Sequence, residues 1–522
     1  MDFSKLRTNL KNLKDSGNVK SIKTFEKNVL PGDIFVCLAG ARSDGHDYAH
    51  LALARGARFV ITQKDLGLGE SQIYVQDTRK AYAILCSEWF GNPATQLKLI
   101  AVTGTNGKTS TAFVVKQLLS RLTKAPVGLI GTIQNEIGAQ TFLAKYTTPE
   151  PFELHGLLEQ MRKAGCKYVV MEASSHALAQ QRLFGLNFLV AGFTNLTQDH
   201  LDYHETLENY FLAKCALFEN TKTAVVNIDD EYGQRIVAKQ WVLKYDSLLT
   251  TSGSAGGRLY FGALDLPGVA EESEKTTYHS NPRFGKSHCP ISCKEKIADL
   301  CASDLKLFAD RVEFEVTFKG RSYGCSFEMP GEFSVSNATL AMGMMISLGF
   351  NPKEIADNLS YCGRVPGRAE VLYSSKSLTV IRDYAHGPDG LENILKTLRK
   401  FACHRLVLLF GCAGERDRTK RPQMGEIAGK YSDFVVITSD NPREEPELEI
   451  IADAEKGIKR TNIPYCVIAD RLKAIEWVIR HKKPGDLVLL AGKGHENYQA
   501  LKNCTILFDE KEIVLRVLGS ST

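Results

Sequence analysis

The stretch Leu97-Lys-Leu-Ile-Ala-Val-Thr-Gly-Thr-Asn-Gly-Lys-Thr-Ser110 decides the fold of the central part of this 522-residue chain. Its apolar first half predicts a buried strand, and apolar residues recur downstream at helical spacing. A glycine-containing loop between a strand and a helix aims backbone N–H groups and the positive end of the helix dipole at one point, which favours an anion. Lys108 is placed to reach terminal phosphates and Thr109 to bind magnesium. The stretch therefore predicts a phosphate-binding loop, with an ordinary glycine turn as the alternative.

Length and composition are those of a globular protein. A chain of 522 residues predicts about three domains, and 43% hydrophobic with 24% charged residues is ordinary usage. A formal net charge of +5 is too small to predict a nucleic-acid partner. The N-terminus does not resemble a signal peptide, no apolar run of about 18 residues predicts a membrane span, and the 13 scattered cysteines are typical of reduced thiols. We therefore expect a monomeric cytoplasmic protein with small-molecule substrates and no nucleic-acid or membrane partner.

The order of strand and helix patterns predicts an α/β protein with three domains. These are a small α/β N-terminal domain (1–96), a central P-loop domain with a parallel sheet (97–362) and a C-terminal Rossmann-like doubly wound domain (363–522). A polar stretch at about 246–300 predicts a surface insert in the central domain. Alternation over 311–328 predicts an antiparallel pair with a turn at Lys319-Gly320. The glycine-rich segment from Gly363 to Arg368 predicts a hinge about which the third domain swings.

Polar residues follow the apolar strands of both larger domains. The tips of the central strands carry Glu172, Ser174, His176, Thr194, Asn195, Asp199, His200 and Asn227. The tips of the C-terminal strands carry Asp383, Arg416, Asp440, Arg443, Lys493 and Glu496. A single polar residue after a strand is usually a helix cap, but ligands of open α/β sheets lie beyond the carboxyl ends of the strands. We therefore expect two ligand sites, the second of which carries both charge signs and suits a zwitterion such as an amino acid.

Eight short motifs make the chain resemble the Mur ligases of bacterial peptidoglycan synthesis. They are Gly104–Thr109, Tyr146–Pro149, Met171–His176, Thr194–His204, Asp383–His386, Gly414–Asp417, Asp440–Arg443 and Gly492–Glu496. The likeness covers nearly the whole chain outside 246–300. It implies that ATP phosphorylates the D-glutamate side-chain carboxylate of UDP-N-acetylmuramoyl-L-alanyl-D-glutamate, and that the amine of a diamino acid then attacks the acyl phosphate. The form Asp440-Asn-Pro-Arg443 implies meso-2,6-diaminopimelate, whose distal carboxylate a planar guanidinium fits well.

The resemblance also assigns residues to roles. Catalysis is assigned to Lys108, Glu172, His200 and Lys214. ATP is assigned to Gly104, Thr105, Asn106, Gly107, Lys108, Thr109, Ser110, Asn337, Arg368 and Asp383. The UDP-muramoyl-peptide is assigned to Thr147, Thr148, Ser174, Gln180 and Arg182, and the diamino acid to Arg416, Asp440, Asn441, Pro442, Arg443, Gly492 and Glu496. Mg²⁺ is assigned to Thr109, Glu172, His200 and Lys214, the lysine as a carbamate that offers two oxygens.

Three other functions stay open on the sequence alone. The same ligase chemistry with L-lysine or ornithine differs only in the acceptor. Folylpolyglutamate synthase shares the phosphate loop but lacks the pair formed by Asp440–Arg443 and Gly492–Glu496. A P-loop protein that uses ATP to change shape would need no acceptor at all. The neighbouring Lys420-Arg421 is interpreted as the solvated start of a helix and has no assigned role.

Overall fold

The computed structural model describes residues 19–40, 43–238, 247–252, 258–262, 293–308, 311–363 and 365–519. These residues confirm the predicted α/β class and the order of a small sheet, a large central sheet and a C-terminal sheet along the chain. Among them, no helix is both long enough and apolar enough to cross a membrane.

The N-terminal domain is a four-stranded parallel sheet in the order β1-β2-β3-β4. Its elements are β1 (Ile22–Lys23), β2 (Ile34–Val36), α1 (Ala49–Ala54), β3 (Phe59–Thr62), β4 (Gln72–Tyr74) and α2 (Thr78–Trp89). Helix α2 begins at Thr78 and is capped by Asp77, whose side chain accepts hydrogen bonds from two backbone amides of the first turn. Two apolar clusters cover the two faces of the sheet, which makes this a domain with its own core.

The central domain is built on an eleven-stranded sheet in the order β17-β16-β15-β12-β11-β10-β5-β9-β6-β7-β8. The strands of the domain are β5 (Lys98–Thr103), β6 (Val127–Ile130), β7 (Gln134–Ile137), β8 (Gln140–Leu143), β9 (Tyr168–Glu172), β10 (Phe188–Phe193), β11 (Thr221–Asn227), β12 (Ser247–Ser252), β13 (Arg258–Gly262), β14 (Cys293–Ile297), β15 (Leu300–Leu307), β16 (Val312–Phe318) and β17 (Arg321–Phe327). Of these, β13 and β14 lie outside the eleven-stranded sheet. The middle strands are parallel and each edge ends in antiparallel pairs. The phosphate loop follows β5, which lies in the parallel middle of this sheet.

Helices cover both faces of the central sheet. They are α3 (Lys108–Thr123), α4 (Pro151–Lys163), α5 (Ser175–Ala179), α6 (Leu201–His204), α7 (Leu207–Cys215), α8 (Glu231–Ala238), α9 (Glu332–Ser347) and α10 (Pro352–Leu359). Separate apolar clusters form on the two faces. Because the middle strands are buried on both sides, their sequences are nearly continuous apolar runs, which is why the sequence predicts them well.

The stretch at 246–300 differs from its prediction as a surface insert. Strand β12 pairs in parallel with β11 and belongs to the main sheet, so the prediction is wrong for Ser247–Ser252. Strands β13 and β14 form a separate antiparallel pair, and 263–292 lie outside the described residues. The antiparallel pair predicted over 311–328 is confirmed as β16 and β17, joined through Lys319 and Gly320 at φ 49° and 74°.

The C-terminal domain is a six-stranded sheet in the order β18-β19-β23-β20-β21-β22, with only β18 antiparallel. Its elements are β18 (Glu370–Ser374), β19 (Leu378–Asp383), α11 (Pro388–Arg399), β20 (Leu406–Phe410), α12 (Lys420–Tyr431), β21 (Phe434–Ile437), α13 (Glu447–Ile458), β22 (Tyr465–Val467), α14 (Arg471–Arg480), β23 (Asp486–Ala491), β24 (Tyr498–Ala500), β25 (Thr505–Leu507) and α15 (Glu510–Gly519). Apolar clusters lie on both faces of the sheet, so the doubly wound prediction is confirmed.

The chain enters the C-terminal domain through two glycines with positive φ, Gly363 at 115° and Gly367 at 67°. A Cβ atom on Gly367 would lie 2.1 Å from the backbone nitrogen of His495. Glycine is therefore required where this connection passes against the loop after β23.

Candidate active site

The phosphate loop has the predicted strand, loop and helix geometry, since β5 ends at Thr103 and α3 begins at Lys108. Gly107 precedes the helix at φ 83° and leaves its first turn without a side-chain cap. A Cβ atom there would lie 2.3 Å from Asn337 Oδ1, and one on Gly104 would lie 1.8 Å from Thr194 Oγ1. Glycine is therefore required at both places, and the exposed amides at the helix start are suited to phosphate oxygens.

Glu172 lies behind the loop and is fully buried. Its Oε2 accepts hydrogen bonds from Thr109 Oγ1 at 2.8 Å and Thr132 Oγ1 at 2.9 Å. Among the described residues, no three His, Cys, Asp or Glu side chains group closely enough to hold a metal ion. A divalent ion here would combine one carboxylate with hydroxyl and phosphate oxygens, which is a ligand set that Mg²⁺ accepts. The donor set at Thr109 and Glu172 thus fits the predicted ion.

Lys214 projects from α7 into the interior and is 1% exposed. Its Nζ donates to Gly104 O at 2.7 Å, and Lys108 Nζ donates to the same oxygen at 2.9 Å. Burial, reinforced by the charge of Lys108, lowers the pKa of Lys214 well below its usual value. Burial therefore favours the uncharged amine, which is the form that adds carbon dioxide to give a carbamate.

His200 lies in a group of aromatic side chains beyond the end of β10. Its ring centroid is 4.8 Å from that of His176 and 6.2 Å from that of Tyr210. Burial lowers the pKa of His200 to about 3, although the charge of Asp199 opposes the shift. The imidazole is therefore neutral at physiological pH and keeps a nitrogen lone pair for a cation.

Helix α12 begins at Lys420, as the sequence predicts, but the interpretation of Lys420 and Arg421 as solvated is wrong. Their side chains are 15% and 2% exposed, and both are paired. Lys420 Nζ lies 2.6 Å from Asp199 Oδ1 of the central domain. Arg421 pairs with Glu445 at 3.0 Å and with Asp453 at 3.1 Å. Sequence periodicity could not reveal this, because the partners are distant in sequence.

The residues predicted to hold the muramoyl-peptide form one hydrogen-bonded group. Ser174 N donates to Thr148 Oγ1 at 3.0 Å, and the Arg182 guanidinium donates to Thr148 O at 2.8 Å. Arg182 also donates to Gln180 Oε1 at 2.7 Å and pairs with Glu150 at 2.7 Å. Thr132 connects this group to Glu172, because its hydroxyl donates to the carboxylate at 2.9 Å and lies 3.1 Å from Thr147 Oγ1. The group therefore adjoins the phosphate loop through Thr132.

The predicted diamino-acid residues surround a buried cation, Lys493, which is 0% exposed. Lys493 Nζ donates to Asn441 Oδ1 at 3.0 Å and lies 3.4 Å from Asp440 Oδ1 and 3.5 Å from Glu496 Oε2. Asn441 Nδ2 in turn donates to Glu496 Oε2 at 2.8 Å. The guanidinium of Arg443 donates to Gly414 O. Asn441 thus orients Glu496 and has one amide hydrogen left for a ligand.

The predicted adenosine-side residues lie at the domain boundary. The Arg368 guanidinium donates to Thr109 Oγ1 at 3.3 Å, and Asp383 accepts backbone hydrogen bonds from Ala369 at 2.7 Å and Ala385 at 2.8 Å. Burial raises the pKa of Asp383 despite the charge of Arg368. Residues from the C-terminal domain therefore reach the phosphate loop itself.

One cleft of about 640 Å³ between the two larger domains brings most of the predicted residues together. It is lined by Thr105, Asn106, Gly107, Lys108, Thr109, Ser110, Thr147, His200, Asn337, Arg368, Asp383, Arg416, Asp440, Asn441, Arg443, Gly492 and Glu496. The other predicted residues lie outside its lining, namely Gly104, Thr148, Glu172, Ser174, Gln180, Arg182, Lys214 and Pro442. The phosphate loop and the residues predicted for the amino acid thus face the same space.

Sequence reasoning assigned no individual role to four residues of this cleft and its surroundings, of which Lys493 was named only among the charged residues at the strand tips. Thr132 and Lys493 hold predicted residues in place, while Lys420 and Asp389 bridge the domains. Asp389 Oδ2 accepts from Asn106 Nδ2 of the phosphate loop at 2.7 Å. Two of the four had a signal in the sequence, since Lys493 lies within the motif Gly492–Glu496 and Asp389 shortly follows the motif Asp383–His386. Thr132 and Lys420 had no such signal.

Comparison with known proteins agrees with this arrangement. The family model for the Mur ligase middle domain matches 102–345, and that for the Mur ligase, glutamate ligase domain matches 367–494. A UDP-N-acetylmuramoyl-L-alanyl-D-glutamate--2,6-diaminopimelate ligase of Clostridium botulinum is 39% identical, over 98% of this chain and 97% of that protein.

Solved structures give the same result. A UDP-N-acetylmuramoyl-L-alanyl-D-glutamate--2,6-diaminopimelate ligase superposes with a TM-score of 0.64 and 30% identity, covering 96% of this chain and 95% of that one. The folylpolyglutamate synthase of Mycobacterium tuberculosis superposes with a TM-score of 0.57 at 16% identity, covering 80% of this chain and 92% of that one, and so shares the fold alone. The chain belongs to the Mur ligase family.

Proposed function

We propose that this protein is an ATP-dependent amide ligase that adds meso-2,6-diaminopimelate to UDP-N-acetylmuramoyl-L-alanyl-D-glutamate. The observation that carries the proposal is the single cleft in which the phosphate loop faces a group of acidic, basic and amide side chains on another domain. A ligase must bring an activated acyl group and an amine to one point, and this cleft has one part suited to each. The near full-length likeness to named ligases of this reaction supports it.

In the first step, the D-glutamate side-chain carboxylate attacks the γ-phosphorus of ATP and ADP leaves, which gives an acyl phosphate. Phosphoryl transfer of this kind depends on positioning and charge neutralisation more than on covalent help from the protein. Lys108 and the amides at the start of α3 hold the β- and γ-phosphates. Arg368 reaches Thr109 from the C-terminal domain, so its guanidinium lies beside the same phosphates. The group around Thr148 and Arg182 holds the muramoyl-peptide.

In the second step, the amine of the diamino acid attacks the acyl carbon, phosphate leaves and an amide forms. The amine loses a proton as the bond forms, and the departing phosphate can accept it. Arg416 and Arg443 bind carboxylates of the diamino acid, and Glu496 binds the distal ammonium group, held in place by Asn441. Recognition at both ends of the amino acid fixes which amine faces the acyl phosphate.

Mg²⁺, when bound, neutralises charge between the phosphates and the carboxylate that attacks them. Thr109, Glu172 and His200 would hold such ions, with Lys214 as a carbamate. The burial of Lys214, which lowers the pKa of its ammonium group, supports that modification, since only an unprotonated amine adds to carbon dioxide. A cytoplasmic location and a monomeric state remain predictions.

The decisive assay measures phosphate release with ATP and all combinations of the other two substrates. We expect release only when UDP-N-acetylmuramoyl-L-alanyl-D-glutamate and diaminopimelate are both present, together with a product heavier by one diaminopimelate residue. Phosphate release from ATP in the absence of both other substrates would indicate an ATP-driven switch. Phosphate release with folate substrates would indicate a folylpolyglutamate synthase.

The identity of the amino acid is tested by competition. Diaminopimelate, L-lysine and ornithine are supplied at equal concentration, and the products are separated by mass. We expect diaminopimelate to predominate, because Arg443 offers a guanidinium to the second carboxylate that lysine and ornithine lack. Replacement of Arg443 by leucine should remove most of that preference. A wild-type preference for lysine would show that Arg443 has another role.

A further inference from the structure

An ion pair crosses the cleft between the central and C-terminal domains. Lys420 Nζ lies 2.6 Å from Asp199 Oδ1, and the side chains are 15% and 19% exposed. Exposed ion pairs contribute little, because water and salt screen them. This pair is largely withdrawn from solvent and lies in the lining of the cleft. Water and salt therefore screen it less than they screen the exposed ion pairs of this chain.

Each partner is attached to a different half of the reaction site. Asp199 Oδ1 also accepts from the backbone N–H of His200 at 2.9 Å, and its Oδ2 lies 3.4 Å from His200 Nε2. Lys420 is the first residue of α12 and ends the loop that carries Arg416. The ion pair therefore connects the loop that presents the amino acid to the residue that orients His200.

A second contact crosses the cleft nearby. Asp389 Oδ2 accepts from Asn106 Nδ2 at 2.7 Å and lies 3.4 Å from Thr197 Oγ1. Thr197 and Asp199 lie in the same segment after β10, so the two bridges hold one central-domain loop from two sides. Lys420 brings a cation to this loop from the opposite domain and donates to Asp199.

We infer that Lys420 is a positioning residue of the ligation reaction. By pairing with Asp199 across the cleft, it aligns the loop that carries Arg416 with the phosphate loop. The inference rests on the proposed function. Because Lys420 and Asp199 lie on different domains, the pair is broken when the domains part. Its formation is thus a property of the closed arrangement in which the amine meets the acyl phosphate.

The test compares Lys420→Met, Lys420→Arg, Asp199→Asn and the double variant Lys420→Met/Asp199→Asn in the phosphate-release assay. Misplacement of a reacting group by about 1 Å costs about 100-fold in rate, so we expect Lys420→Met to lower kcat by about 10- to 100-fold. The KM for ATP should change less than about threefold, since Lys108 and the loop amides are untouched. Lys420→Arg should recover most of kcat, because a guanidinium can make the same pair.

The double variant tests whether Lys420 acts through Asp199. We expect it to be no slower than the slower single variant, since the second change removes an interaction already lost. Multiplied effects would overturn the inference and assign Lys420 to direct contact with substrate. Lys396→Met is the matched control, because the ion pair of Lys396 is with Glu392 of its own helix, at 2.8 Å, and its side chain is 50% exposed. Melting temperatures of all variants check that each folds.

The outcomes separate this inference from the proposed function. A wild-type protein without diaminopimelate-dependent phosphate release overturns the function. An active wild type whose kcat is matched by Lys420→Met overturns only the role of Lys420.

Discussion

Replacing Lys493 by methionine removes the only cation within 3.5 Å of both Asp440 and Glu496 among the described residues. The ammonium group is fully buried, and the two carboxylates are 5% and 14% exposed. Methionine has a similar length but no charge, so both carboxylates lose their cation and Asn441 loses a donor to its Oδ1, while Glu496 keeps the hydrogen bond from Asn441 Nδ2. The perturbation is therefore confined to the group that holds Asn441 and Glu496.

The size of the effect follows from the cost of an unpaired buried charge. Removing one partner of a buried ion pair costs about 3–5 kcal/mol. If about 3 kcal/mol is lost from binding of the reacting diamino acid, kcat/KM falls by about 100-fold, since each tenfold corresponds to about 1.4 kcal/mol. The loss should appear in kcat/KM for diaminopimelate, whereas the KM for ATP should stay within about twofold.

The assay is steady-state phosphate release at varied diaminopimelate, with thermal unfolding measured on the same samples. Lys473→Met is the control, because Lys473 lies in the same domain with a side chain that is 74% exposed and 3.9 Å from Asp470. If Lys493→Met unfolds normally and keeps kcat/KM within about threefold of the wild type, the reasoning about this buried cation is refuted.

Three further outcomes are expected. Lys214→Ala should lose activity, and added bicarbonate should not restore it, because alanine cannot form a carbamate; full activity would contradict the role of Lys214. Gly107→Ala should weaken binding of a non-hydrolysable ATP analogue by at least about tenfold in calorimetry, since its Cβ would lie 2.3 Å from Asn337 Oδ1, whereas Gly165→Ala, at a similar φ of 78° with no atom within 4 Å, should bind normally. His155 is buried with neither ring nitrogen partnered among the described residues, and burial lowers its pKa to about 4. The unfolded chain then binds the extra proton first, so stability should fall by about 3 kcal/mol as the pH drops from about 6.5 to 4. His155→Leu should remove that part of the pH dependence in urea unfolding, and identical pH profiles would show that His155 does not titrate as described.

Much of the fold was predictable because its strongest patterns are local. Strands buried on both faces give continuous apolar runs, and β5, β9, β10 and β20 are found where those runs lie. Turn chemistry placed Lys319-Gly320 correctly for the same reason. Strand β12 was missed, because Ser247–Ser252 is polar and its place in the sheet comes from pairing with β11 rather than from its own periodicity.

The candidate site, like the fold, was predictable only where its pattern is local. The phosphate loop is a single contiguous segment whose chemistry is visible in its residues. Lys420 was misjudged because its partner, Asp199, lies on another domain, and no local pattern distinguishes a clamped lysine from a solvated one. Lys493 was noticed only as one charged residue among several. Its role depends on complete burial, which spacing along the chain does not show.

The C-terminal sheet has apolar cores on both of its faces that are separate from those of the central sheet. The side chains proposed to bind the amino acid lie on loops that follow strands of this sheet, outside both apolar clusters and outside the phosphate loop. In evolutionary terms, the choice of building block can drift or be reselected through a few loop substitutions, while the energy-coupling half of the enzyme stays under unchanged constraint. A cell wall of different composition would then require no new fold and no new way of using ATP.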